Sequence, residues 1–153
     1  MGATPPAKYL AEWFARYTKN RDLVLRKLES VDQEEDKVVV VQKDGKTVHY
    51  HAEPFPSDLS EAAAGLSEEH KGLLVYNTPE NFDSLKKSWK KLAEVPNLTI
   101  YFVNPFSKLE KKWIIRPQIH AKISDPESLE TGLNSMYAMV EPISKKEVEQ
   151  LTS

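Results

Sequence analysis

Apolar residues near the start of the chain recur at three and four positions. Tyr9, Leu10, Trp13, Phe14 and Tyr17 form one broad stripe behind Pro5 and Pro6, two residues that suit a first helical turn. That spacing predicts an amphipathic helix. Asn20 can cap a second helical segment carrying Val24, Leu25, Leu28 and Val31, which the acidic run from Asp32 to Asp36 closes as a solvated turn. The period then changes. Val38 to Val41 are four consecutive β-branched residues, poor for a helix, and Asp44-Gly45 is the pair a tight hairpin turn favours before the returning strand Thr47 to Ala52. Asp58 and Glu61 stand at capping-box spacing and Gly65 lies near the end of the segment from Ser57 to Leu66, which reads as a short connecting helix.

The second half alternates short strands with helices. Leu73 to Tyr76 is an apolar strand, and Thr78-Pro79 starts a helix to about Glu94 whose buried face carries Phe82, Leu85, Trp89 and Leu92. Leu98 to Val103 is apolar on both sides, which predicts a central strand covered on both faces. Trp113 to Ile115 is a further strand. Asp125-Pro126 opens a helix through Leu129, Leu133, Met136, Tyr137 and Val140, and Ser144 with Glu147 caps a last short one. The order predicts an α/β (α+β) fold with a mixed β-sheet of about five strands flanked by helices, α-α-β-β-(α)-β-α-β-β-α-α.

The 153 residues, 40% of them hydrophobic, suffice for one core and one domain over 1–153. The 21 basic and 23 acidic residues nearly cancel, so no strong overall field draws the protein onto nucleic acid or anionic lipid. The chain has no cysteine, which removes disulfides, thiolate metal sites and thiol nucleophiles and points to the reducing cytoplasm. Metal can bind only through His, Asp or Glu. There is no signal-peptide run and nothing near the roughly 18 apolar residues of a membrane span, so a soluble protein without membrane partners is expected.

Three groups of residues could carry chemistry. Asn104-Pro105 leaves the central strand at its end, where open α/β sheets place ligand loops, and Arg116, held extended by Pro117, presents a guanidinium suited to carboxylate or phosphate with His120 close behind. Asn104, Arg116 and His120 are therefore the candidate ligand-binding set. His49, His51 and Glu53 alternate on the returning hairpin strand and so project from one face, a set that could hold zinc or iron or else form an ordinary solvated face. No other cofactor is indicated. Lys86, Lys90 and Lys112 are the candidate nucleic-acid contacts, weighed against plain solvent-exposed lysines such as the Asp83–Lys87 spacing implies.

From Tyr9 to Ile115 the order of elements resembles the core of the restriction-endonuclease-like, or PD-(D/E)xK, family. The resemblance implies an acidic residue on the second strand and an acid-x-Lys on the third, which hold a divalent metal and polarise a water for phosphodiester cleavage. The strand expected as third, Leu73-Leu74-Val75-Tyr76-Asn77, has neither carboxylate nor lysine. Glu69-His70-Lys71, Glu35-Asp36-Lys37 and Glu110-Lys111-Lys112 show the spacing elsewhere, as a chain this charged does by chance. The resemblance thus implies a relative that has lost cleavage. The expected function is non-catalytic binding or assembly, with a protein partner or self-association through Tyr9, Trp13, Phe14 and Tyr17. A metal-dependent nuclease and a nucleic-acid-binding module are the alternatives.

Overall fold

The computed structural model describes residues 3–153. In chain order the elements are α1 (Pro5–Leu25), β1 (Leu28–Glu34), β2 (Lys37–Gln42), β3 (Thr47–Ala52), α2 (Leu59–Ala64), β4 (Lys71–Tyr76), α3 (Pro79–Lys87), α4 (Trp89–Leu92), β5 (Leu98–Val103), β6 (Lys112–Ile115), α5 (Pro117–Ile123), α6 (Pro126–Met139) and α7 (Lys145–Thr152). The six strands form one mixed sheet in sequence order. β1, β2 and β3 are an antiparallel meander, β3, β4 and β5 run parallel, and β6 returns antiparallel to β5.

The sheet carries helices on both faces, and each face has its own core. α1 and α7 cover one face, where Leu10, Phe14 and Val148 meet Val38, Val40, Leu74, Tyr76, Tyr101 and Val103. On the other, Leu59 of α2, Phe82 and Leu85 of α3, Leu92 of α4 and Leu133 of α6 pack on Leu73, Val75, Ile100, Phe102, Trp113 and Ile115. β4 and β5 contribute to both cores along nearly their whole length. That double coverage is why both read as almost uninterrupted apolar runs.

Two predicted elements fold differently. The two N-terminal helices are one, continuous through Asn20, and it ends where Arg26 takes a left-handed conformation with φ 52°. Asp22 stops it: its Oδ1 accepts the backbone N–H groups of Lys27 (2.7 Å) and Leu28 (3.1 Å). Leu28 and Val31 therefore belong to a strand, with Val31 opposite Val40, and only Glu35-Asp36 of the acidic run forms the turn. The sheet gains a sixth strand by this change. The long helix after Thr78 is also interrupted at Ser88, whose hydroxyl donates to Asp58 Oδ1 at 3.2 Å, the same carboxylate that caps α2.

With β1 in place, Thr47–Ala52 is the third strand and Lys71–Tyr76 the fourth. The absence of acid and lysine from Leu73 to Asn77 therefore concerns the fourth strand. The aromatics of α1 are engaged internally: Tyr9 stacks on Phe106 (5.2 Å between centroids), Trp13 on Tyr17 (5.2 Å), and Phe14 is buried. The large apolar side chains that α1 leaves exposed, Leu23, Val24 and Leu25, stand at its far end. Among the described residues no helix is long and apolar enough to cross a membrane.

Candidate functional site

A single glycine prepares the site. A Cβ on Gly72 of β4 would lie 2.3 Å from Cδ1 of Tyr50, so the Tyr50 ring rests directly against the β4 backbone. The ring is held there between Phe14 of α1, 4.5 Å away, and Tyr101 of β5, 5.9 Å away in an edge-on arrangement. Tyr101 pairs with Ile114, and two residues on, just past the end of β6 and still extended, Arg116 lines the same face of the sheet as Tyr101. From above, α1 brings Phe14, Tyr17, Thr18 and Arg21 to this place through helical spacing.

The result is a cleft of about 410 Å³ between the second half of α1 and the sheet, in which Arg21, Arg116, Tyr50, Tyr101 and Gln42 converge. Burial holds the Tyr50 hydroxyl far above the ordinary tyrosine range, and Tyr101 adds to the effect while Arg116 and Arg21 oppose it. Tyr101 is raised for the same first reason, burial. Both hydroxyls stay protonated at neutral pH; that of Tyr50 faces Tyr101 as a donor, which leaves the Tyr101 hydroxyl to donate to a ligand. Among the described residues neither arginine is in an ion pair. Asp22 also lines the cleft, but its Oδ1 is committed to the backbone at the end of α1.

The structure brings Arg116 and His120 together through the backbone. His120 Nδ1 lies 3.0 Å from the Arg116 carbonyl oxygen and 3.2 Å from its nitrogen, bracing the start of α5 rather than the guanidinium. Asn104 is elsewhere. The β5–β6 register places Val103 against Lys112 and Ile100 against Ile115, so Asn104 and Arg116 leave the sheet at opposite ends, roughly 16 Å apart at the usual strand rise. Asn104 is buried there, its Nδ2 donating to the Glu141 carbonyl (2.8 Å) and its Oδ1 accepting from Phe106 N–H (3.1 Å), and so ties two loops together.

His49, His51 and Glu53 do not form a ligand set. His51 Nε2 is 2.8 Å from Glu68 Oε1, His49 Nδ1 is buried without a partner, and Glu53, past the end of β3, lines a separate cavity with Asp36. Among the described residues no three His, Asp or Glu side chains are grouped so that they could hold a metal ion. The three lysines are divided between the two sides of the sheet. Lys86 pairs with Asp83 at 3.6 Å and lies 4.6 Å over Phe82 on the α3 side, where Lys90 also stands on α4. Lys112 is on the α1 side, 5.5 Å over Tyr17 and 3.8 Å from Glu110.

Reading along the sequence missed Arg21, Gln42, Tyr50 and Tyr101. One signal was available: Gly72 follows Lys71 at the start of β4, just before an apolar run, and an isolated glycine in a strand marks a close approach to its backbone. Compared with known proteins, the chain matches no family model, no curated protein and no solved structure.

Proposed function

We propose that this protein is a non-catalytic binding domain whose ligand presents a phosphate or carboxylate group to Arg21 and Arg116. The observation that carries this reading is the convergence of two arginines without carboxylate partners on two protonated tyrosine hydroxyls, in one cleft of a protein whose net charge is -2. A guanidinium is a planar fork of N–H donors that can bond two oxygens of a phosphate or carboxylate at once, and an anion between Arg21 and Arg116 is attracted by both. Arg21, Arg116 and Lys27 line the cleft with donors, and the one carboxylate in its lining, Asp22, is tied through Oδ1 to the backbone at the end of α1.

Titration with inorganic phosphate, followed by calorimetry, tests the reading. Arg21→Gln and Arg116→Gln are each expected to weaken binding about tenfold, the equivalent of one charge-assisted hydrogen bond, without lowering the melting temperature of the free protein. Phosphate affinity unchanged in the double variant would sink the proposal.

A second reading, a metal-dependent nuclease of the restriction-endonuclease-like type, is favoured by one observation. Asp36, just before β2, lies beside Glu53, just after β3: the Ala52 N–H donates to the Asp36 carbonyl at 2.8 Å, and the Glu53 carboxyl is held above its ordinary range first by burial and then by Asp36. Lys145 of α7 lines the same cavity of about 640 Å³, while Glu53-Pro54-Phe55 lacks a lysine at the third position. This reading predicts that millimolar Mn²⁺ raises the melting temperature at pH 7, and that Asp36→Asn removes the rise. A flat scan of the unaltered protein counts against it.

A further inference from the structure

The cleft does not end at Arg116. A second cavity of about 210 Å³ lies at the same end of the sheet, and Gln42, Tyr50 and Arg116 line both. Its uncharged polar walls beyond these come from Asn97 in the turn before β5, Thr99 of β5 and Gln118 of α5. Asn97 is fixed there in a left-handed conformation with φ 57°, its carbonyl accepting the Lys71 N–H at 3.1 Å. Val48 and Ile119 supply apolar surface beside these groups. No carboxylate lines this cavity; its charged groups are Arg116, shared with the cleft, and Lys46 on the exposed hairpin turn, and the His70 imidazole lines it as well.

Resting on the anion-binding reading above, we infer that the ligand is a monosaccharide bearing a terminal anionic group, with the anion between Arg21 and Arg116 and the sugar ring in the second cavity. Carboxamides each donate and accept, and a hydroxyl does the same, so Gln42, Asn97 and Gln118 suit a ring of hydroxyl groups better than a second charge. The small apolar strip beside them suits the C–H face of a sugar ring. A nucleobase is the poorer fit because it needs an open aromatic face to stack on. The aromatic ring that lines this cavity is Tyr50, and Gly72 and Phe14 already lie against it. Sequence separation hid the arrangement: the amides come from a hairpin, a turn and a short helix that meet only in the folded sheet.

Calorimetric titration with ribose 5-phosphate, inorganic phosphate, glucuronate and acetate tests the inference and separates it from the reading beneath it. Ribose 5-phosphate is expected to bind at least tenfold more tightly than phosphate, or glucuronate than acetate, and whichever pair shows the gain identifies the anion. Gln118→Ala is expected to abolish that gain and leave binding of the simple anion unchanged. If the simple anions bind and neither sugar gains, or if the gain survives in Gln118→Ala, the sugar assignment is overturned while the anion site stands. If no anion of the four binds, both fall.

Discussion

Asn77→Ala is expected to destabilise the protein by about 4 kcal/mol, the cost of leaving two buried polar groups without partners and a small void besides. Asn77 has no solvent exposure, and its side chain joins three elements at the end of β4. Its Oδ1 accepts from Trp113 Nε1 at 2.8 Å, linking β6, and its Nδ2 donates to the Val140 carbonyl at 3.0 Å, at the end of α6. The backbone of the same residue pairs with Val103 (2.9 Å) and Ile143 (3.1 Å), and alanine keeps those bonds. What alanine cannot supply is a partner for the Trp113 N–H or the Val140 carbonyl, both in residues that are essentially inaccessible to water. The loss corresponds to a fall in melting temperature on the order of 10 °C for a chain of this length. Urea unfolding checks it directly: the midpoint should drop with the slope unchanged, and a loss below about 1 kcal/mol would mean that the two groups find new partners.

Four helix starts were legible because their chemistry is local, whereas α5, which begins at Pro117 without a side-chain cap, was not predicted. Asp58, Thr78, Asp125 and Ser144 each accept a backbone N–H two or three residues ahead, and Ser144 with Glu147 closes the full reciprocal box. Although β5 lies next to the edge strand β6 rather than at the sheet centre, its burial on both faces was legible for a similar reason, since a strand covered on both has to be apolar on both. β1 was not. Its apolar residues Leu28 and Val31 are three apart, a helical interval, and most of the rest are polar because β1 is the sheet edge. What makes it a strand is pairing with Val38 to Val41, a contact that no local interval encodes.

The candidate site divides along the same line. Arg116 could be picked out because the following proline fixes its backbone, which is a neighbour effect. Arg21, Tyr50 and Tyr101 come from a helix, a hairpin and β5, and each has an ordinary structural explanation until the fold puts them together. Asn104 shows the converse. An asparagine before a proline at a strand end reads equally as a ligand loop or a turn, and burial with two hydrogen bonds gives it the second role here. His49 and His51 do alternate on β3 as their spacing requires, but Glu68 pairs with His51, and no strand periodicity could have placed that carboxylate.

Gly72→Ala should couple stability to the cleft. The added carbon would fall 2.3 Å from Cδ1 and 2.6 Å from Cε1 of Tyr50, and 3.2 Å from the Thr99 carbonyl, so the tyrosine ring must leave its position. Overpacking of this kind costs about 2 kcal/mol, set against a gain of under about 1 kcal/mol from replacing glycine within a strand. Displacing Tyr50 also withdraws its hydroxyl from the arginines, so phosphate affinity should fall in the same variant although Gly72 itself touches no ligand. A double-mutant cycle separates this mechanism from general damage to β4. In a Tyr50→Ala background the ring is gone, and Gly72→Ala should become neutral or slightly stabilising in urea unfolding. If the two substitutions instead destabilise additively, the tyrosine does not rest on Gly72, and the floor of the cleft is built some other way.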